Sequence, residues 1–336
     1  MRMWLSKHEV LVLAGLVLAC SGTAPGQNSQ TQVGGSATSG SSTGGATDGG
    51  APGTNVGGAT TPATGGASTS SAGGNPNSGG ANGTGGASTS RTGGTSSTLG
   101  ATKRGIAANV APSAAFFPAV RWWYNWAIRS TGTNVGIEFV PMVWNQTSVS
   151  SALPSGSKYV LGFNEPNFFA QANLSAAQAA SYWPALQTNA NSAGVAIVGP
   201  GMNFCGPAAQ CHGTSPYQYL KDFFAACSDC DVDYVAVHWY NCDLPSLRDY
   251  LEPGGNLEGF EQFGKPIWLT EFSCDTSASV PQQEAFMRAA IPYLESNPHV
   301  FRYSWFSADP IPNAKIMNSD GTPTALGQVY ISLPTN

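Results

Sequence analysis

A parallel α/β barrel, the (β/α)8 arrangement, is the fold that residues 102–336 predict. Three observations carry this expectation. Eight short runs rich in β-branched and aromatic residues recur between Gly, Pro or Asn boundaries, at 103–109, 120–126, 137–144, 159–165, 195–203, 233–240, 266–272 and 300–307. Helical patterns separate the later runs, the signature of βα units around a parallel sheet. The segment's length also suits a compact barrel of about 200 to 250 residues.

The first run, 103–109, follows a long stretch without large apolar residues. The second is the least regular, because Trp122-Trp123-Tyr124-Asn125-Trp126 also fits a loop or a helix turn. The fourth and seventh close on Gly162-Phe163-Asn164-Glu165-Pro166-Asn167 and on Trp268-Leu269-Thr270-Glu271-Phe272. Three helices are announced by a Ser followed three residues later by Gln, the capping-box spacing, at Ser175 and Gln178, Ser215 and Gln218, and Ser279 and Gln282. Behind them run apolar stripes. Ala176, Ala180, Trp183, Leu186 and Ala190 form the first, with Pro184 expected to kink the helix. Tyr219, Leu220, Phe223, Phe224 and Cys227 form the second, and Phe286, Ala289, Ala290, Tyr293 and Leu294 the third. No comparable pattern follows the first three runs, so the outer helix ring is expected to be incomplete.

Two segments precede this domain. Residues 1–20 read as an export signal: Arg2 and Lys7, an apolar core from Val10 to Ala19, then Val17-Leu18-Ala19-Cys20, which is similar to the cleavage site of bacterial lipoproteins. On that reading Cys20 is lipidated and the chain is exported and held at the cell envelope by its N-terminal lipid; the alternative is an ordinary secretory signal. Residues 21–101 are Gly, Ser, Thr, Ala and Asn with only Asp48 and Arg91 charged, a composition that cannot bury a core. Near-copies such as Thr43-Gly44-Gly45-Ala46-Thr47 and Thr64-Gly65-Gly66-Ala67-Ser68 have no hydrophobic face and are low-complexity echoes rather than a solenoid. As a flexible leash this segment would reach roughly 50 Å on average.

The net charge of -5, with no basic patch among the aromatics, excludes nucleic acid as an expected partner. With Cys20 set aside, six cysteines remain, an even number that in an exported chain favours disulfides. Adjacent strand ends would bring Cys242 near Cys274, which leaves Cys205 with Cys211 and Cys227 with Cys230; the connectivity is not fixed by spacing. His212, His238 and His299 have no metal-ligand spacing, so no cofactor or metal is expected.

In a barrel of this kind the reacting groups project from the C-terminal ends of the strands. Glu165 ends the fourth run and Glu271 the seventh, whereas Glu138 starts a run and Glu252, Glu258, Glu261, Glu284 and Glu295 lie on helical or loop stretches and read as surface charge. Two rim carboxyls are the requirement of glycoside hydrolysis. At about 5 to 5.5 Å one attacks the anomeric carbon and the other protonates the leaving oxygen, while a gap of about 6.5 to 9.5 Å admits water and inverts. Glu165 is assigned as acid/base and Glu271 as nucleophile.

The stretches around Glu165 and Glu271, with Val198-Gly199-Pro200 and Asp233-Tyr234-Val235-Ala236-Val237-His238-Trp239-Tyr240, together resemble the glycosyl hydrolase catalytic-core family, glycoside hydrolase family 128. The resemblance covers nearly all of the folded domain. It implies a barrel with its acid on the fourth strand and its nucleophile on the seventh, and a retaining endo-β-1,3-glucanase acting on β-1,3-glucan. Asn164 is then placed to donate to the sugar 2-hydroxyl and Tyr240 to the nucleophile. His238 is a candidate near both carboxyls or a core histidine. Trp126, Trp144, Trp239 and Trp305 are candidate platforms for pyranose rings. A monomer is expected. Two alternatives stay open: a retaining glycosidase on another β-linked glucan or mannan, and a non-catalytic, tethered carbohydrate-binding or wall-adhesion protein.

Overall fold

The computed structural model describes residues 103–335 apart from Asn134 and Pro207. The expected signal segment with Cys20 and the Gly/Ser/Thr-rich segment 21–101 lie outside the described residues.

All eight expected strands form, and every pairing between them is parallel. They are β1 (Arg104–Ala107), β2 (Trp122–Tyr124), β3 (Glu138–Phe139), β4 (Tyr159–Leu161), β5 (Ala196–Met202), β6 (Tyr234–Tyr240), β7 (Ile267–Ser273) and β8 (Val300–Phe306). Their order around the sheet is β3-β2-β1-β8-β7-β6-β5-β4. The run at 137–144 divides its pairing at Pro141, whose nitrogen has no hydrogen to give. Before it, Val140 N donates to Trp123 O at 3.0 Å; beyond it, Leu161 N donates to Pro141 O and Val143 N to Leu161 O, each at 2.9 Å. The two edges of the curled sheet thus meet through the chain that follows β3, in a TIM-like α/β fold.

Five α-helices stand among the described residues, all after β4: α1 (Ala176–Ala193), α2 (Pro216–Ala226), α3 (Leu244–Leu251), α4 (Val280–Ser296) and α5 (Ala325–Ser332). Single 3-10 turns at Ala114–Phe116 and Gln146–Ser148 follow β1 and β3. α1 runs unbroken through Pro184 and has a complete capping box at Ser175. At α2 the box is half made, because Gln178's counterpart Gln218 turns its amide to Asp222 at 2.7 Å. At α4 Gln282 Oε1 accepts from both the nitrogen and the hydroxyl of Ser279. α3 and α5, which the apolar periodicity does not single out, start on the capping side chains of Asp243 and Thr324.

Period-two alternation sorts the strand side chains. Trp122, Tyr159, Tyr234 and Trp268 meet inside the N-terminal end of the barrel, with Trp122 and Trp268 rings 4.9 Å apart and Tyr159 and Trp268 5.1 Å apart. Arg302 lies over the Tyr159 and Trp268 rings at 4.6 and 4.9 Å and pairs with Glu138 at 2.7 Å. Glu138 is therefore part of a half-buried ion pair that caps this floor, not a free surface charge. Glu295 is corrected in the same way. It is 5% exposed and pairs at 3.3 Å with Arg104, whose guanidinium also donates to the carbonyls of Tyr330 and Pro334 and so fastens the C-terminal helix to β1. Ala289 of the third apolar stripe faces solvent, whereas Phe286, Ala290, Tyr293 and Leu294 are buried. The disulfides are Cys205–Cys211, Cys227–Cys230 and Cys242–Cys274, so the C-x-x-C pair is a local staple.

Candidate active site

With the N-terminal half of the barrel filled by aromatics, the polar groups collect at the other end. Glu165 follows β4 in a turn with φ 38°, in the left-handed region that a side chain rarely adopts. Its backbone is held there: Glu165 N donates to Gly201 O and Phe168 N to Glu165 O, both at 2.9 Å. Trp126, just past β2, has φ 58°, so two of the three non-glycine residues with positive φ among the described residues stand at this rim, where stored backbone strain is characteristic of functional sites.

Glu271 reaches the interior by a break in alternation. Trp268 points into the barrel floor, yet Phe272, four residues on, packs outward against Phe286, Tyr303 and Trp305. The pairing register shifts between Leu269 and Phe272 on the β8 side and between Val237 and His238 on the β6 side. Such irregularities re-aim a side chain, and here they turn Glu271 inward opposite His238.

One oxygen of Glu165, one of Glu271 and a ring nitrogen of His238 lie within 4.8 Å of one another. His238 Nδ1 is 2.8 Å from Glu165 Oε1 and 3.3 Å from Glu271 Oε2. Asn203 Nδ2 donates to Glu165 Oε1 at 3.0 Å. Around Glu271 the donors are denser: Trp126 Nε1 to Oε1 at 2.7 Å, Tyr124 hydroxyl to Oε1 at 3.1 Å, and the Tyr240 hydroxyl to Oε2. Both glutamates are buried, at 4% and 3% exposure.

Burial raises the Glu271 carboxyl above its ordinary 4.5; His238 opposes this, Glu165 adds to it, and the Tyr240 and Trp126 donors oppose it again. For His238 burial alone would lower the imidazole, but the carboxyls of Glu271 and Glu165 outweigh it and leave the ring above its ordinary 6.5. Tyr124 is pushed well above the usual phenol value by burial and then by Glu271, so it remains a donor at any working pH. The site thus holds two acids and one base in mutual contact, able to share and pass protons.

Two carboxylates and an imidazole are also a metal-ligand set. A metal-bound imidazole almost always donates its other N–H to an acceptor. Among the described residues His238 Nε2 is buried without an acceptor, and the Gly201 backbone lies against it, so they do not supply the second half of such a site.

Of the residues singled out from sequence, Glu165, Glu271, His238 and Tyr240 come together directly. Trp126 joins them, but through its indole N–H on Glu271. Asn164 is 1% exposed, and Trp144, half-buried, is tied to it through Asn164 N donating to Trp144 O at 2.9 Å. Trp239 and Trp305 are corrections. Alternation in β6 turns His238 and Tyr240 inward and Trp239 outward, where it packs on Tyr250 and donates to Asn241 O. In β8 it turns Trp305 outward, fully buried and bonded to Ala314 O, and leaves Phe306 facing Trp126 and Tyr240. Neither tryptophan can meet a sugar. Sequence reasoning missed Tyr124, Asn203 and Phe306. Tyr124 lies two residues past Trp122 on the same face, a period-two signal that could have found it; Asn203 sits beyond β5 with no pattern around it.

A family described as the glycosyl hydrolase catalytic core matches residues 105–330. The structure of an endo-β-1,3-glucanase of glycoside hydrolase family 128, subgroup II, from Sorangium cellulosum is 39% identical, with a TM-score of 0.61, over 69% of this chain and 98% of that one. A subgroup I endo-β-1,3-glucanase from Amycolatopsis mediterranei, in complex with laminaritriose, is 29% identical with a TM-score of 0.55 over 69% of this chain and 99% of that one. Alkali-sensitive linkage protein 1 of Schizosaccharomyces pombe is 35% identical over 228 residues, 63% of this chain; the match spans 40% of that relative's length.

Proposed function

The chain belongs to the glycosyl hydrolase catalytic core family, as a glycoside hydrolase of the family 128 type, and from that premise we propose that it is a retaining endo-β-1,3-glucanase. One observation carries the stereochemical part. One oxygen of Glu165 and one of Glu271 lie within 4.8 Å of each other, a close approach that favours the short spacing of double displacement over the wider gap of inversion.

In the first step Glu271 attacks the anomeric carbon while Glu165 gives its proton to the departing glycosidic oxygen. A glycosyl ester on Glu271 results, and the leaving chain departs with a free hydroxyl. In the second step Glu165, now ionised, takes a proton from water as that water attacks the same carbon, which restores Glu271 and releases the sugar. Trp126, Tyr124 and Tyr240 orient the Glu271 carboxylate for attack. His238, against both carboxyls, follows the charge as it moves from one to the other. The preference for β-1,3 linkages and for internal cleavage rests on the likeness to endo-β-1,3-glucanases at 39% and 29% identity.

The direct test is purified 102–336 on linear β-1,3-glucan, β-1,4-glucan and mannan, beside Glu271→Gln. Early release of mixed β-1,3-oligosaccharides, lost in the variant while the variant still pulls down the polymer, supports the proposal. Equal rates for wild type and variant, or products from β-1,4-glucan or mannan alone, reject it. The proposal extends to location: a lipid on Cys20 and the segment 21–101 as a leash would hold the monomeric enzyme at the envelope within reach of a polymer. Loss of labelled fatty acid from the chain in Cys20→Ala checks this.

A further inference from the structure

The strand that carries Glu271 has one residue too many for its neighbours. On the β6 side Val237 pairs with Leu269 and His238 with Glu271, so Thr270 has no counterpart. On the β8 side Leu269 pairs with Tyr303 and Phe272 with Trp305, which sets Thr270 and Glu271 against Ser304 alone. Two residues facing one is the count of a β-bulge, and a bulge disturbs the ladder where the extra residue stands. The carbonyl at that point takes side-chain donors. Thr270, 1% exposed, accepts from two of them through its carbonyl: the Tyr124 hydroxyl at 3.1 Å and the Ser304 hydroxyl.

Ser304 reaches this carbonyl by period-two alternation. Arg302 and Phe306, two residues to either side, both face the barrel interior, and Ser304 between them is fully buried. The two hydroxyls are not equivalent, although each has a single hydrogen to give. Ser304 donates to Thr270 O, whereas Tyr124 stands 3.1 Å from both Thr270 O and Glu271 Oε1. The carbonyl and the carboxyl therefore compete for one Tyr124 proton. A donor supplied to the carbonyl from β8 settles that competition, because the carboxylate forms the stronger bond once the carbonyl is served.

We propose that Ser304 is a positioning residue for the reaction: by giving its proton to the Thr270 carbonyl at the bulge, it leaves the Tyr124 proton to Glu271. The inference rests on the glycosidase reading above and deepens it. Ser304 acts through Tyr124. Without its hydroxyl, Tyr124 turns to the carbonyl, and Glu271 keeps the Trp126 and Tyr240 donors but loses the third side chain that orients it for attack.

The experiment is a double-mutant cycle on the full chain, with Ser304→Ala, Tyr124→Phe and both together. For each protein kcat and KM on β-1,3-glucan and the melting temperature are measured. Ser304→Ala should lower kcat about 3- to 10-fold with KM within about twofold of wild type. It should also move the acid limb of kcat/KM to higher pH, since a carboxylate that loses a donor holds its proton more tightly. In the Tyr124→Phe background the same substitution should change kcat by less than about twofold, because the proton it protects is already gone. The melting temperature should show the opposite coupling. Each single variant leaves the carbonyl one hydroxyl, so the double variant should lose more than the two single losses added. Additive losses in kcat, or an acid limb that Ser304→Ala does not move, overturn the proposal, because a serine that only fills space acts alike in both backgrounds. Failure of wild type to hydrolyse any glucan or mannan would reject the glycosidase reading on its own; the melting temperatures would then still decide whether Ser304 and Tyr124 share the carbonyl.

Discussion

The Nδ1 nitrogen of His238 stands 2.8 Å from Glu165 Oε1 in a position with no exposure to solvent. A fully buried imidazole in contact with a carboxyl, and 3.3 Å from a second, is the charge partner that lets both acids persist inside the barrel.

Because His238 lowers the Glu271 carboxyl against the upward pull of burial, its removal should raise that carboxyl further. His238→Asn is expected to move the acid limb of the kcat/KM profile to higher pH and to cut the maximal rate by about 100-fold. A profile of unchanged shape would show that His238 only fills space.

Tyr240 and Tyr124 both donate to Glu271, but Tyr124 divides its hydroxyl between Glu271 Oε1 and Thr270 O, each at 3.1 Å. Tyr240→Phe should therefore lower kcat by about 10- to 100-fold and Tyr124→Phe by less, with KM little changed in either, since charge-assisted bonds of this kind are worth about 1.5 to 3 kcal/mol. Steady-state kinetics on β-1,3-glucan decides, and a rise in KM at constant kcat would assign Tyr240 to substrate binding instead.

Stability should carry the mark of the same carboxyl. The folded Glu271 holds its proton more tightly than its ordinary 4.5, so its contribution is complete below pH 4.5 and is lost as pH rises through the raised value. His238, raised above 6.5, adds a loss of the same sign at higher pH. Glu271→Gln, which cannot ionise, is expected to lose activity yet melt higher than wild type at neutral pH, by about 2 to 4 °C for each kcal/mol regained, with the gap closing below pH 4.5. Calorimetry across pH tests this; a variant that melts lower at every pH would contradict it.

Gly201 matters for what it lacks. A methyl group there would stand 2.9 Å from His238 Nε2, closer than carbon approaches a ring nitrogen. Gly201→Ala should push the imidazole off Glu165 and reduce kcat by about tenfold or more, whereas Gly194→Ala, at a helix end with open space around it, should leave kcat unchanged and lower only the melting temperature.

The eight strands were legible because each is a short apolar run with a boundary residue, and the glutamates because they end two of those runs. The tryptophans show where such reading stops. Nearness to a strand end says nothing of which face a residue takes, and one step along β6 or β8 separates His238 from Trp239 and Trp305 from Phe306. Alternation would have excluded Trp239 and Trp305, but the same rule applied to β7 from Trp268 would have placed Glu271 outside. The register shift that turns it inward is a three-dimensional event with no local pattern. Asn203 was invisible for a related reason, since it matters only through a partner, Glu165, that the fold brings to it.

The separation of Glu165 and Glu271 is tested most directly by the stereochemistry of the first product. Proton NMR during the opening minutes of hydrolysis of a linear β-1,3-oligosaccharide should show the new reducing end appear as the β-anomer, with the α-anomer rising later by mutarotation. Immediate appearance of the α-anomer would mean that water, and not Glu271, attacks the sugar, and would contradict the account.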